Sequence, residues 1–149
     1  MSRSHISAEL RRQIVARADG VCEYCLIHEE DTFFGCQVDH IISEKHGGAT
    51  EAENLAYACL FCNRHKGSDI GSVLPDGPFS RFFNPRTDQW AEHFVVAADG
   101  ITIEPRTEIA EVTMRILGFN AEERLLEREA LRAVGRYPTA AAERRVRGT

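Results

Sequence analysis

The chain has 149 residues, a length that suits one domain with a real core. Its formal net charge of −5 excludes binding nucleic acid by bulk charge and leaves that task to local basic clusters or a metal. No apolar run approaches the roughly 18 residues of a membrane span, and the stretch MSRSHISAELRRQIV has no apolar signal core, so a cytoplasmic protein with no membrane contact is expected.

In chain order, ISAELRRQIVARADG predicts a helix. Ser7 caps it, Ile6, Leu10, Ile14 and Ala18 form one stripe, and Gly20 ends it. Cys22-x-x-Cys25 comes next, then the acidic run Glu29, Glu30, Asp31. GCQVDHII predicts a strand, SEKHGGATEAEN a polar loop, LAYAC a second strand, and LFCNRHKG a short helix closed by Gly67. SDIGSVLPDGP reads as a linker. The aromatic stretch FSRFFNPRTDQWAEHF wraps the core, with His93 packing beside Trp90 and Phe94. HFVVAADGITIEP predicts a hairpin turning at Asp99-Gly100 in a type I′ turn.

Two helices complete the ordered part. In TEIAEVTMRILG, Thr107 is the cap and Ile109, Val112, Ile116 and Leu117 share a face. NAEERLLEREALRAVG opens on the capping-box pattern Asn120-x-x-Glu123. The two are expected to pack as an antiparallel pair. Arg124, Arg128 and Arg132 recur on one face, where Glu127 and Glu129 pair with them, so a solvated face is expected there. YPTAAAERRVRGT reads as frayed, and the chain's end holds a local basic cluster of Arg136, Arg144, Arg145 and Arg147.

Five cysteines in a cytosolic-looking chain argue against a disulfide framework. Two Cys-x-x-Cys knuckles, Cys22/Cys25 and Cys59/Cys62, suit one tetrahedral Zn²⁺. A site of four thiolates has no open position, so this zinc is structural: it closes everything between the knuckles into one loop. Cys36 stands outside the set and reads as a small buried residue. Inside the closed loop, a strand carries Asp39-His40, a pair that is costly to bury unless it is partnered or binds a metal.

The knuckles, Asp39-His40, Gly47-Gly48, Asn54-Leu55 and Cys62-Asn63-x-x-Lys66-Gly67 together resemble the HNH endonucleases, the ββα-metal or His-Me finger family. FFNPRTDQWAEHF also resembles the segment C-terminal to that core in small free-standing bacterial members. The resemblance implies metal-dependent hydrolysis of phosphodiesters, most naturally in DNA, leaving 5′-phosphate and 3′-hydroxyl ends. It implies that His40 is the general base, an imidazole being largely neutral at pH 7. It further implies that Asp39 and Asn63 offer oxygen ligands to a Mg²⁺ or Mn²⁺ ion, and that Asn54 steadies the loop that orients the histidine. The pattern departs from the family name, because the third position is Asn63 and no proline comes after the first histidine. His65 is the rival ligand, but it lies about 200° round the helix from Asn63. Strand alternation puts Asp39 and His40 on opposite faces, so both serve one phosphate only if the strand ends, twists or bulges there.

Arg64, Lys66 and Lys45 are candidates to hold phosphates flanking the cut. The expected architecture is a single α+β domain over residues 1–149. A zinc-stapled ββα-metal core at 20–67 succeeds the N-terminal helix, a hairpin plus two helices fill 68–135, and 136–149 form a flexible tail. The alternative is a treble-clef-like zinc module that binds nucleic acid or protein without cutting; it keeps the four cysteines and has no use for Asp39, His40, Asn54 and Asn63 together.

Overall fold

The computed structural model describes residues 5–149. Helix α1 (Ala8–Ala18) starts at Ser7, whose Oγ accepts the Leu10 N–H at 3.1 Å. Its buried Ile14 and Ala18 pack with Val38, Leu55 and Tyr57. The helix ends at a left-handed Asp19, one residue before the glycine expected to stop it. The first knuckle is a tight turn in which the Leu26 N–H reaches the Cys22 carbonyl at 2.9 Å and the Cys22 N–H reaches that of Ile27 at 2.8 Å.

The expected ββα unit is present. Strand β1 (Cys36–His40) pairs antiparallel with β2 (Leu55–Cys59), setting Cys36 opposite Cys59 and His40 opposite Leu55. Helix α2 (Leu60–Lys66) continues from β2 with no intervening loop. Cys59 is its N-cap, its sulfur accepting the Cys62 N–H at 3.4 Å.

The stretch read as a linker is more ordered than that reading. β3 (Gly71–Val73) and β4 (Phe79–Arg81) form a short hairpin, too brief for alternation to show in sequence. The aromatic stretch wraps the core as expected: Phe82, Phe83, Trp90 and Phe94 are buried, and the Trp90 indole donates to the Tyr24 carbonyl at 2.9 Å. Helix α3 (Trp90–His93) is a single turn leading into β5 (Phe94–Val96), which pairs with β6 (Ile103–Pro105). The turn of this hairpin is not type I′. Of its two central residues only Gly100 has positive φ, and the Asp99 carboxylate instead accepts the N–H groups of Ile101 and Thr102 at 2.9 Å.

Helix α4 (Glu108–Leu117) is capped by Thr107 and packs against α2, β3, β4 and β6 rather than forming the expected pair with α5 (Glu122–Ala133). The capping box is absent too. Asn120 spends its amide on the Ile103 backbone, and Ala121 stands at the N-cap with no side-chain bond. The expected tail holds helix α6 (Ala140–Arg147), started by Thr139 and packed through Ala141, Ala142 and Val146. Small alanines supplied a core face that periodicity under-reads. Among the described residues no helix is long and apolar enough to cross a membrane.

The loop joining β1 to β2 is held by a close backbone approach. A Cβ on Gly48 would lie 1.7 Å from the Ile42 carbonyl oxygen and 2.8 Å from the Asn54 amide nitrogen. Gly48→Ala must therefore displace the loop. The expected loss is about 1–3 kcal/mol, the range for an overpacked site, read by chemical denaturation beside Gly77→Ala, where an added Cβ meets nothing within 4 Å.

Candidate active site and metal centre

The sulfurs of Cys22, Cys25, Cys59 and Cys62 lie within 4.8 Å of one another, and all four residues are buried. A tetrahedron of Zn–S bonds near 2.3 Å would separate its sulfurs by about 3.8 Å; Cys25 and Cys59 are 3.7 Å apart. The donor set therefore fits a structural zinc. Each knuckle adds one N–H to a sulfur, from Cys25 to Cys22 at 3.5 Å and from Cys62 to Cys59 at 3.4 Å. Burial pushes the Cys25 thiol up, but hydrogen bonds from the other three cysteines and the charge of Arg124 outweigh it and hold the thiol well below its ordinary value. Cys36 lies outside the cluster, where burial and the neighbouring Cys59 push its thiol up.

Arg124 was not to be found by reading the α5 face as solvated. Its guanidinium is buried against the cluster, with Nη2 2.9 Å from the Cys25 sulfur and both terminal nitrogens 3.6 Å from that of Cys59. It lies 4.4 Å over the Phe61 ring. Zn²⁺ with four thiolates carries two net negative charges, which a buried site tolerates only with compensation; Arg124 offsets one of them. The pairing with Glu127 does occur, at 3.6 Å. Arg128 is fully buried, donating to the Ile101 backbone carbonyl at 2.6 Å and to the Asn120 side-chain carbonyl at 2.9 Å. The arginine repeat thus faces inward over two of its three members. The signal available in sequence was a cation on a distant helix, which spacing alone does not connect to four thiolates.

Asp39 and Asn63 both lie where β1 meets α2. Gln37 and Asp39 share one strand face, Asn63 and Lys66 share one helix face, and these faces touch. The Asn63 amide donates to the Gln37 side-chain carbonyl at 2.7 Å, which leaves its own carbonyl as an acceptor. Lys66 is placed otherwise than expected. It is 2 % exposed; its ammonium sits 3.1 Å from one Asp39 carboxylate oxygen and donates to the His40 carbonyl at 2.9 Å. A lysine so engaged does not reach out to a flanking phosphate. The Tyr24 hydroxyl also donates to Asp39, at 3.4 Å. Burial pushes the Asp39 carboxyl up, with Lys66 pulling against it. A buried carboxylate and an amide carbonyl, from the touching faces of β1 and α2, are oxygen donors of the kind a hard divalent ion takes.

His40 is the last residue of β1 and is nearly buried. Its Nε2 lies 2.9 Å from the Thr50 hydroxyl and 3.6 Å from a Glu44 carboxylate oxygen. Neither partner stands out in sequence, where Thr50 and Glu44 look like ordinary loop polarity. The loop that carries them is clamped by Asn54. Its side-chain carbonyl accepts the Ile42 N–H at 2.9 Å, and its side-chain amide donates to the carbonyls of Ile42 at 2.9 Å and Ala49 at 2.8 Å.

Of the remaining candidates, Arg64 and Lys45 are exposed. His65 turns away from Asn63: its Nδ1 lies 2.8 Å from the Phe61 carbonyl, and its ring stacks on Phe61 at 4.1 Å. His93 packs edge-on against Phe83 and hydrogen-bonds Thr107 at 2.7 Å.

Residues 22–69 match the model of the HNH endonuclease family, the family that the sequence resembles. The match spans the first knuckle, β1, β2 and α2, and it supports nuclease activity on a nucleic-acid substrate in general terms. Comparison with curated proteins and with solved structures returned no match.

Purified protein is expected to carry about one zinc per chain, and Cys36→Ser to leave that number unchanged. Apparent zinc binding of roughly 10–16 kcal/mol is at least as large as the whole stability of a small domain, about 5–15 kcal/mol, so stripping the metal should unfold the ββα unit. Arg124→Gln should speed zinc transfer to a chromogenic chelator by roughly 10–100-fold, the usual cost of losing an outer partner of a metal site, with Arg124→Lys in between.

Proposed function

We propose that this chain is a metal-dependent endonuclease of the cytoplasm that hydrolyses phosphodiester bonds in DNA. His40 is the general base, Asp39 and Asn63 are ligands of a Mg²⁺ or Mn²⁺ ion, and the four-cysteine cluster holds a structural zinc. The observation that supports the reading is the placement of Asp39 and Asn63 where β1 meets α2, with His40 at the next position, the strand's last, held by its own loop. The ion, when bound, supplies charge to the phosphate and its leaving oxygen.

The hydrogen bonds around His40 support its part in the reaction. In the tautomer that this reading requires, Nε2 donates to the Thr50 hydroxyl, 2.9 Å away, and Nδ1 keeps the lone pair. Nδ1 is then the atom that takes a proton from the attacking water. Asn54 fixes the backbone on which this depends, and Lys66 fixes the His40 carbonyl. Arg64 and Lys45, both exposed, hold phosphates on either side of the cut.

One observation favours a second reading, the non-cutting zinc module. The Lys66 ammonium already stands at the Asp39 carboxylate, so the pair is partnered without an ion. The two readings separate on supercoiled plasmid incubated with Mg²⁺, Mn²⁺ or no added metal. The nuclease reading expects nicked or linear product with 5′-phosphate ends. It expects His40→Ala to slow cleavage by roughly 10²–10⁴-fold while binding survives. Thr50→Val should slow cleavage and Thr50→Ser should restore it. If the parent cuts in no metal yet binds DNA or a protein, the second reading stands.

A further inference from the structure

Gln37 is a polar side chain inside a strand, two positions before Asp39 and on the same face. The residues paired opposite them, Ala58 and Ala56, are buried and end at Cβ. The polar groups over this face therefore come from β1 itself, from α2 and, at Asp39, from Tyr24. Asp39 and Lys66 are buried, whereas Gln37 and Asn63 are half-buried. The face thus runs from a closed end at the Lys66–Asp39 ion pair to an end at Gln37 and Asn63 that water reaches.

An amide side chain has two ends of nearly the same shape and opposite chemistry: an oxygen that accepts and a nitrogen that only donates. A hard cation takes the oxygen alone. Turning the Asn63 amide over by 180° would offer the ion an NH₂ group instead. The partner decides which way it stands. Gln37 sets its side-chain carbonyl oxygen 2.7 Å from Asn63 Nδ2, so Asn63 spends its donor there and keeps its own oxygen. Asn63 cannot turn over alone, because two carbonyl oxygens would then face each other. The bond also strengthens the ligand, since a hydrogen bond donated by the NH₂ group moves charge onto the amide oxygen.

We infer that Gln37 is a positioning residue of the proposed ion site, holding Asn63 with its oxygen turned to the divalent ion. The inference rests on the proposed nuclease reading, which assigns that ion to Asp39 and Asn63. It also gives a reason why asparagine serves at the third position of the motif. An amide acts as a ligand in a fixed sense only where a neighbour breaks its near-symmetry, and β1 carries that neighbour.

The test reads ion binding itself, on the zinc-loaded chain, from the electron paramagnetic resonance signal of Mn²⁺ left free in solution. Gln37→Leu removes the acceptor, and Mn²⁺ should then bind roughly 10–100-fold more weakly, the usual cost of losing an outer partner of a metal ligand. Gln37→Glu accepts the same N–H and, ionised, cannot donate, so it should match or exceed the parent's affinity. The deciding comparison uses the Asn63→Asp background. A carboxylate offers the ion an oxygen whichever way it turns, so adding Gln37→Leu there should change Mn²⁺ affinity little. Parent-like affinity in Gln37→Leu overturns the inference and leaves the nuclease reading standing. An equal loss in both backgrounds also overturns it, because Gln37 then acts otherwise than through Asn63. Loss of zinc in Gln37→Leu, with no recovery of Mn²⁺ binding in Gln37→Glu, overturns it as well and makes the residue structural. If the parent binds Mn²⁺ no better than Asp39→Ala does, the inference and the ion assignment of the nuclease reading fall together.

Discussion

Four buried sulfurs hold this molecule in register. Cys22 and Cys25 lie just past α1, while Cys59 and Cys62 lie at the junction of β2 and α2. Bringing them together closes a long loop that contains β1 and the His40 segment. Two strands of five residues make too small a sheet to persist alone, so β1 depends on that closure for its place. The cluster also reaches the far end of the chain. Arg124 of α5 sets its guanidinium on the sulfurs, and the Tyr137 hydroxyl donates to the Cys25 carbonyl at 3.0 Å. The C-terminal helices are therefore anchored to the same point as the nuclease-like core, and the two are poorly separable as folding units.

Around this anchor the charge distribution does two unlike jobs. Inward-facing arginines serve sulfurs and carbonyls: Arg124 sets its charge against the cluster, Arg128 donates to the Ile101 carbonyl, and Arg17 donates to the carbonyls of Ala52 and Leu55, at 2.9 and 2.6 Å. Arg124 and Arg128 are withdrawn from the surface, and Arg17 is half-buried. The chain is thus poorer in available positive charge than its composition suggests, and under the proposed reading the exposed Arg64 and Lys45 would carry more of the phosphate contact.

The sequence made the metal cluster, the ββα order and the Asp39–His40 pair legible because each depends on short spacings that survive as text. Ser7, Thr107 and Gly67 were readable for the same reason, since caps act within one turn. The features that stayed hidden depend on distance in the fold. Lys66 looked like a surface lysine because nothing local shows that Asp39 will lie beneath it. Arg124 and Arg128 looked solvated because i, i+4 spacing defines a face without saying what that face meets. Asn120 fitted a capping box, yet a bond to the Ile103 backbone competed successfully for its amide. Thr50 and Glu44 are assigned to His40 by loop geometry that a string of polar residues leaves open.

The ion pair between Lys66 and Asp39 separates the two metals implied by the donor sets. The cysteine cluster has only one internal cation, Arg124, which reaches its sulfurs from one side and cannot take the place of a fourfold ligand bond. Asp39 has a substitute built in: a lysine ammonium that tethers the same backbone carbonyl that positions His40. The fold can therefore stand at rest with its carboxylate occupied. Under the proposed reading, a divalent ion would enter by exchange with an internal cation rather than by filling a void. Resting affinity would then be set by how readily Lys66 yields, and the enzyme would idle in metal-poor surroundings without losing its shape.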